Sequence, residues 1–294
     1  MSTTDSTNPA PKVALIGFGE AGETFARAAS WQGVASGWDL LGERRALMPG
    51  CGVASGDNAA AALGEADMVL SLVTADAALA AAQDYAAMLP AGTLWCDMNS
   101  VAPHTKRAAA EAVTAAGAHY IDVAVMAPVD KGLAVPLLVS GPDAEEARGK
   151  LAALGFTNIR VVGGEIGRAS AIKLCRSVMV KGLEALTAEM VMAASQADVL
   201  DEVLASLDAS EKQVSWSERA DYNLDRMLVH GRRRSAEMYE ATEMLHDLGI
   251  SPMMSEQTVN WQEGLGELQI NPPPEGLSAK LDAIRTTPEF KGEI

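Results

Sequence analysis

Short apolar runs alternate with amphipathic stretches through the first half of the chain. Continuous apolar runs of about four to eight residues, typical of strands buried on both faces, occur at 12–17, 34–39, 66–73, 93–97, 120–125, 135–139 and 159–162. Helical stretches are predicted after the first strand as far as Ala29, and in alanine-rich segments at 76–88, 103–116 and 143–153. This alternation of strand and helix predicts an α/β fold with a doubly wound parallel sheet.

From Gly167 onward the pattern shows only helical periodicity. The predicted helices are a long one over 167–196, followed by 198–208, 211–229, 233–248, 252–265 and a short last one near 277–285. We therefore expect the α/β domain to be joined by the long helix to an all-α C-terminal domain. Placing the boundary near Gly163 and Gly164 gives a disordered leader at 1–11, a nucleotide-binding domain at 12–164 and a helical domain for substrate binding and dimerisation at 165–294.

Composition and charge restrict the partners and the compartment. A net charge of −16 and a pI near 4.6 argue against nucleic acid, whose backbone requires clustered Lys and Arg. No run approaches the roughly 18 apolar residues of a membrane span, and the polar N-terminus lacks the apolar core of a signal peptide. Three widely spaced cysteines fit free thiols, so we expect a cytoplasmic protein. The four histidines show no metal-ligand spacing, and we expect no metal site.

A glycine triplet follows the first strand and opens the first helix. In a Rossmann-type fold Gly17 allows the tight turn, Gly19 lets the backbone approach a pyrophosphate and Gly22 permits close packing of helix on strand. The free N–H groups at the start of the helix then bind the phosphates. The predicted cofactor site is the run Gly17, Phe18, Gly19, Glu20, Ala21 and Gly22. The alternative is a glycine-rich turn that binds no ligand.

Asp39 ends the second predicted strand and indicates which dinucleotide is bound. A carboxylate at this position accepts hydrogen bonds from the ribose hydroxyls and repels a 2′-phosphate, so it favours NAD over NADP. Arg44 and Arg45 lie just beyond it and could compensate the charge. We therefore expect NAD as the cofactor and leave NADP open.

Lys173 lies on the long predicted helix, after the complete nucleotide-binding unit. At about 100° per residue, Lys173, Ser177, Lys181 and Glu184 share one sector of that helix. The opposite side is mostly apolar. One interpretation is an ordinary helix with a solvated face, and the other is a lysine that takes part in chemistry.

With these residues assembled, the chain resembles the β-hydroxyacid dehydrogenases, the superfamily of 6-phosphogluconate and 3-hydroxyisobutyrate dehydrogenases. The resemblance rests on the glycine triplet and on four further segments at 71–74, 97–103, 122–125 and 167–173. The helical half is similar to the poorly characterised subgroup named as phosphogluconate-dehydrogenase-like. The resemblance implies that Val73 and Thr74 touch the cofactor, that Asn99 and Ser100 lie near nicotinamide and substrate, and that Lys173 is the catalytic acid/base.

Two positions depart from the pattern of this family. The family usually binds the substrate carboxylate with Ser-Gly-Gly, where this chain has Met126, Ala127 and Pro128, and proline has no N–H to donate. Ser177 stands where the family usually has asparagine. A simple short 3-hydroxy acid is therefore disfavoured, and an anionic, aryl or polyol substrate of larger size is expected. Met126, Ser177, Lys181 and the arginine run 232–234, with Arg233 at its centre, are the candidate substrate-binding residues.

Three functions remain in competition. The leading one is an NAD(P)-dependent oxidoreductase that acts on the CH–OH group of a β-hydroxy acid or related alcohol, with Lys173 as general acid/base. The second is a dinucleotide-binding sensor or assembly protein without strong catalysis. The third is an imine reductase, a group that shares the architecture but commonly lacks the lysine. In each case we expect a small-molecule ligand and a homodimer.

Overall fold

The computed structural model describes residues 10–210 and 214–288 and divides into two compact units, Met1–Val178 and Met179–Ile294. The leader predicted at 1–11 lies almost entirely outside the described residues. Eight strands form the sheet of the first unit: β1 (Val13–Ile16), β2 (Ala35–Trp38), β3 (Ala54–Ser55), β4 (Met68–Ser71), β5 (Leu94–Asp97), β6 (His119–Val125), β7 (Leu137–Ser140) and β8 (Ile159–Gly163). They are arranged in the order β3-β2-β1-β4-β5-β6-β7-β8.

Helices cover both faces of this sheet. In the first unit they are α1 (Glu20–Ala28), α2 (Gly42–Leu47), α3 (Ala59–Leu63), α4 (Ala78–Tyr85), α5 (Pro103–Ala115) and α6 (Ala144–Ala153). Val13 and Leu15 of β1 belong to the core on one face, whereas Ala14 and Ile16 belong to the core on the other. Because both faces are buried, the strands read as continuous apolar runs, and the predicted doubly wound sheet is confirmed.

One pair of strands departs from the parallel arrangement. β6 and β7 pair antiparallel, whereas the other neighbours are parallel. The connection spans only residues 126–136 and contains a 3-10 turn rather than a full helix. A parallel crossover usually needs a helix to bring the chain back, so this short connection returns as an antiparallel strand. The short elements α2, β3 and α3 were not predicted from the sequence.

The long predicted helix is present as α7 (Arg168–Gln196). Its first turns belong to the sheet unit, because Ala169 and Ile172 pack against Ala124 of β6 and Leu138 of β7. The two compact units therefore divide within α7, beyond the glycines at which the sequence predicted the domain boundary.

The second unit contains the remainder of α7 together with α8 (Leu200–Ser210), α9 (Trp216–Asp247), α10 (Met253–Glu267) and α11 (Leu277–Thr286). α9 begins at a capping box in which the Ser215 hydroxyl accepts from the Glu218 N–H while the Glu218 carboxylate accepts from the Ser215 N–H. The sequence predicted two helices, 211–229 and 233–248, separated by a break. That break is wrong, since α9 is one continuous helix.

The glycine at the expected break has a packing role. α9 and α10 approach so closely at Gly231 and Gly266 that a Cβ on Gly231 would lie 2.8 Å from the Cα and N atoms of Gly266. Gly231 therefore marks a crossing of two helices rather than the end of one. As a consequence, Arg233 lies in the middle of α9 and not at a helix start, as the predicted helix 233–248 implied.

Two buried charged side chains tie the helices of the second unit together. Glu189 accepts from the N–H groups of Met254 and Ser255 at 2.8 and 3.1 Å, at the start of α10. Lys280 of α11 is almost fully buried and lies 2.8 Å from the Asp221 carboxylate of α9. Among the residues described, no helix is both long and apolar enough to cross a bilayer.

Candidate active site

A cleft of about 540 Å³ lies at the carboxyl ends of β1, β2 and β4. Its floor is the turn after β1. Gly17 has φ of +89°, and a Cβ there would lie 2.6 Å from the Leu72 carbonyl oxygen, so only glycine fits. A Cβ on Gly22 would lie 2.8 Å from the carbonyl oxygen of Gly17. These two glycines are required by the close packing of the turn and α1.

Gly19 is a glycine for a different reason. Its Cβ position has no atom of the described residues within 4 Å, and it is the N-cap of α1 without a side chain that caps the helix. Free N–H groups at the start of a helix bind anions, and the space beside Gly19 lets a phosphate approach them. Glu20 and Ala21 also line this part of the cleft. The arrangement fits a pyrophosphate.

Asp39 lies at the end of β2, and its carboxylate links the glycine turn to the loop that follows β2. Its Oδ2 accepts from the Phe18 N–H at 2.7 Å and its Oδ1 from the Leu41 N–H at 2.8 Å. Each oxygen keeps a further lone pair that a ribose hydroxyl could use. The Phe18 side chain is fully buried in the core, so Phe18 meets the site through its backbone, whose N–H holds Asp39.

The two arginines after β2 have different positions. The Arg45 guanidinium donates to the carbonyl oxygens of Asp39 and Leu40 at 2.6 and 2.9 Å and stacks over Trp38, with its carbon 4.5 Å from the ring centroid. It therefore stabilises the loop. Arg44 lines the cleft and is the cation that a 2′-phosphate would meet first.

The Gly19→Ala variant tests whether Gly19 serves the cofactor rather than the packing of the turn. Because an added methyl group meets no atom of the described residues, we expect the melting temperature of the cofactor-free protein to be nearly unchanged. The methyl would occupy the space proposed for the pyrophosphate, so NADH affinity should fall about tenfold or more. Fluorescence titration with NADH measures this. Unchanged affinity would show that the dinucleotide does not cross the turn at Gly19.

The second part of the site lies after β5. Asn99 is buried, and its amide nitrogen donates to Asp97 Oδ1 at 2.8 Å and to the Ser71 hydroxyl at 3.0 Å. Ser100, the next residue, is exposed, and its hydroxyl accepts from Lys173 Nζ at 2.5 Å. Lys173 is half-buried in the second turn of α7. The structure therefore brings Asn99, Ser100 and Lys173 together within the first unit.

Other predicted residues lie in less direct positions. The Met126 side chain packs with Ala169 and Ile172 under the start of α7, and its N–H donates to the Pro136 carbonyl at 2.9 Å. Ser177 is half-buried one turn beyond Lys173. The side chain of Lys181 lies outside the described residues. Arg233 is exposed and belongs to the second unit. Val73 and Thr74, for which the resemblance predicts contact with the cofactor, line the cleft.

Two groups of residues near the site were missed by sequence reasoning. The cleft wall includes residues with no motif of their own: Trp38, Leu40, Ala77, Ala80, Ala81, Asp84 and Tyr85. Beneath Asn99, a buried network joins Asp97, Tyr120 and Lys106. Burial, reinforced by the Asp97 carboxylate, raises the pKa of Tyr120 well above its usual value, so its hydroxyl stays protonated as a donor. Lys106 shares the spacing of buried Ala109, Ala110 and Val113 on α5, which is a signal that sequence reasoning could have used.

Comparison with protein families covers both halves of the chain. Residues 12–163 match the NAD binding domain of 6-phosphogluconate dehydrogenase. Residues 194–265 match a domain of unknown function, DUF1932.

Several solved structures are similar over most of the chain. A conserved hypothetical protein from Sinorhizobium meliloti 1021 is 35% identical, with 95% of each chain covered and a TM-score of 0.60. The conserved protein MTH1747, of unknown function and structurally similar to 3-hydroxyacid dehydrogenases, is 31% identical, with 87% of this chain and 98% of that chain covered and a TM-score of 0.58. An imine reductase from Myxococcus stipitatus, solved with NADP+, shares the fold at 19% identity, with 87% and 95% covered and a TM-score of 0.70.

The family match and the cleft agree on the cofactor. The glycine turn, the uncapped start of α1 and Asp39 form the groups that an NAD-binding domain requires, and the matched family is named for that domain. The protein is thus NAD-binding and dehydrogenase-like. It belongs to the family that carries the NAD binding domain of 6-phosphogluconate dehydrogenase, followed in this chain by DUF1932.

Proposed function

We propose that the protein is an NAD-dependent oxidoreductase that acts on the CH–OH group of a β-hydroxy acid or related alcohol, with Lys173 as general acid/base. The observation that supports this most directly is the contact of 2.5 Å between Lys173 Nζ and Ser100 Oγ, beside Asn99. This contact brings the amine of α7 next to a hydroxyl group of the loop that follows β5. An amine at such a position can exchange a proton with a reacting oxygen.

The proposed chemistry assigns one role to each of these groups. NAD, when bound, accepts the hydride from the alcohol carbon in oxidation and returns it in reduction. Removal of the hydroxyl proton requires a base, and the neutral Lys173 amine would accept that proton. In reduction the Lys173 ammonium would donate it to the forming alkoxide. Ser100, in contact with Nζ, would hold the amine and bind the same substrate oxygen.

The substrate is proposed to be larger than a simple branched 3-hydroxy acid. Pro128 has no N–H, and the Met126 N–H already donates to the Pro136 carbonyl. Two of the three positions at which the family usually binds a small carboxylate therefore have no backbone N–H to offer it here. We propose an anionic, aryl or polyol substrate whose binding groups lie farther from the reacting carbon, with Ser177, Lys181 and Arg233 as candidate contacts.

A substrate panel tests the proposal. Hydroxy acids, sugar acids and aryl alcohols would be screened with NAD and with NADP, and the corresponding carbonyl compounds with the reduced cofactors, while NADH absorbance is followed. We expect turnover with a larger hydroxylated compound, weak or no turnover of 3-hydroxyisobutyrate, and tighter binding of NAD(H) than of NADP(H). Efficient turnover of 3-hydroxyisobutyrate would contradict the proposed substrate class. Tighter binding of NADP(H) would shift attention from Asp39 to Arg44.

A dinucleotide-binding role without strong catalysis is the second candidate, and the altered carboxylate site favours it. It predicts NADH binding without turnover across the whole panel. Imines are included in the panel, because a reduced imine nitrogen also needs a proton from an acid such as Lys173. If only imines are turned over, the activity of the protein is imine reduction rather than CH–OH oxidation.

We also propose that the protein is a homodimer. Large apolar side chains are exposed on α7 and α8 of the second unit: Met179, Leu183, Leu186, Leu204 and Leu207. A second copy would remove this surface from water. Light scattering measures the mass directly, and a monomer at micromolar concentration would contradict the proposal.

A further inference from the structure

A lysine without any exposed surface lies between two fully buried aspartates behind the site. Lys106 Nζ donates to the Asp97 carbonyl oxygen at 2.6 Å and lies 3.0 Å from Asp97 Oδ1 and 3.4 Å from Asp122 Oδ1. All three side chains are 0–1% exposed. Removing three charges from water is costly, and such clusters are often no more stabilising than apolar residues of the same volume. Stability alone is therefore a weak explanation for the cluster.

Asp97 connects the cluster to the loop after β5. Its Oδ2 accepts from the Tyr120 hydroxyl at 2.6 Å, and its Oδ1 accepts from both the backbone and the side-chain nitrogen of Asn99 at 2.9 and 2.8 Å. A carboxylate can face only the nitrogen of an amide, so Asp97 determines which way the Asn99 amide points. Within 10–210 and 214–288, no residue donates to Oδ1, the side-chain oxygen of Asn99. That oxygen is left as an acceptor for a ligand.

Asp122 connects the same cluster to the start of α7. Its Oδ2 accepts from the Ser170 N–H at 3.0 Å and its Oδ1 from the Ser170 hydroxyl at 2.6 Å. Ser140 adds a second link, since its hydroxyl donates to Asp122 and accepts from the Ala169 N–H. The carboxylate thus binds the positive end of α7. Lys173 follows in the next turn of this helix.

We propose that Lys106 is a positioning residue that fixes Asn99 and Lys173 relative to each other, through Asp97 on one side and Asp122 on the other. One buried ammonium holds both carboxylates, and each carboxylate holds one segment of the site. The inference rests on the proposed function, in which Asn99 serves the cofactor and Lys173 the proton. Lys106 itself touches neither ligand, because its three acceptors all belong to the two aspartates.

We call the link from Lys106 through Asp97 to Asn99 the Asn99 arm, and the link from Lys106 through Asp122 to the start of α7 the α7 arm. Two substitutions weaken one arm each and leave Lys106 in place. Tyr120→Phe removes a donor to Asp97, and Ser170→Ala removes the hydroxyl donor to Asp122. Thr93→Val is the matched control: Thr93 is also buried, and its hydroxyl donates to the Ala66 carbonyl at 2.8 Å, outside the network. Lys106→Met removes the common cation. NADH affinity reports on the Asn99 arm, and the pH-dependent acylation rate of Lys173, followed by mass spectrometry, reports on the α7 arm.

The expected pattern is specific. Tyr120→Phe should weaken NADH binding about fivefold, the equivalent of about one hydrogen bond, and should have no further effect when Asn99 is already alanine. Ser170→Ala should accelerate acylation of Lys173 by about the same factor. The Lys173 amine is then held less tightly against Ser100 and is more accessible to the reagent. Lys106→Met should change both readouts. Thr93→Val should lower the melting temperature and change neither.

The proposal is overturned if Tyr120→Phe and Ser170→Ala lower only the melting temperature, as the control does. If Lys106→Met does not fold, these two single-arm variants decide the outcome by themselves. None of the readouts requires turnover, so a wild-type protein that binds NADH but oxidises nothing would contradict the proposed function and leave the positioning test intact. If the wild-type protein does not bind NADH, the acylation rate of Lys173 still tests whether the α7 arm positions Lys173.

Discussion

Lys173→Met should lower turnover by about 10²- to 10⁴-fold, the usual range for loss of a positioned acid/base, while NADH affinity stays nearly constant. The cofactor groups are the glycine turn and Asp39, whereas Lys173 contacts Ser100 after β5. Loss of the amine should therefore impair proton transfer without changing the pyrophosphate and ribose contacts. Methionine keeps the length and apolar stem of lysine, so packing changes little. Turnover on the substrate found by the panel, NADH affinity and melting temperature are the three measurements.

The same substitution at Lys150 is a matched control. Lys150 lies on α6 in the first unit and pairs with Glu146 at 3.0 Å, an i,i+4 ion pair in which Lys150 is half-buried and Glu146 exposed. Lys150→Met should leave turnover within about a factor of two, since such pairs contribute only a few tenths of a kcal/mol. If Lys173→Met also retains turnover within that range, the amine is not the acid/base. If its NADH affinity and melting temperature fall together, the lysine has a structural role.

The parts of this fold that the sequence predicted well depend on local patterns. β1, β4 and β5 are buried on both faces, so their residues are apolar without interruption. The glycine turn was recognisable because Gly17 and Gly22 meet conformational and packing demands within a few residues of chain. The direction of β7 followed instead from the length of the 126–136 connection, and an apolar run carries no information about that direction.

The buried network beneath Asn99 shows what local patterns do not reveal. Asp97 and Asp122 were visible as motif residues, but their shared partner Lys106 comes from α5. A lysine on an alanine-rich helix is normally solvated, and only the packing of α5 on the sheet removes this one from water. The contact of Lys173 with Ser100 likewise joins residues far apart in sequence. Periodicity left Lys173 open between a solvated helix face and a role in chemistry, and the resemblance to a known family favoured the second.

The helix break predicted near 230–232 failed for a related physical reason. Glycine lowers helix propensity by about 1 kcal/mol relative to alanine, and three arginines after it suggested a new polar helix start. Propensity was outweighed by packing, because the absence of a side chain at Gly231 lets α10 come close to α9. Close to this crossing, Ser235 donates to the Glu263 carboxylate and Arg234 to the Gln262 amide oxygen. Tertiary contacts of this kind stabilise a long helix across a weak position.

Gly231→Ala should accordingly destabilise the protein, although alanine is the better helix former. The added Cβ would overlap the Gln262 carbonyl oxygen and lie 2.8 Å from the backbone of Gly266, and backbone atoms cannot rotate away. Overpacking of this kind costs about 1–3 kcal/mol, occasionally more, against a gain of about 1 kcal/mol in helix propensity. We expect a net loss of about 1–2 kcal/mol, because the clash is with backbone atoms and the cost should lie in the upper part of that range. Urea unfolding followed by circular dichroism measures it.

Gly149→Ala distinguishes this packing effect from the intrinsic preference of helices for alanine. Gly149 is exposed in the interior of α6, and its Cβ position has no atom of the described residues within 4 Å. There the substitution should stabilise the protein by about 0.5–1 kcal/mol, because only the backbone entropy of glycine is removed. Opposite signs for the two variants would identify Gly231 as the point where α9 and α10 cross. A stabilising effect of Gly231→Ala would show instead that the two helices are farther apart in solution.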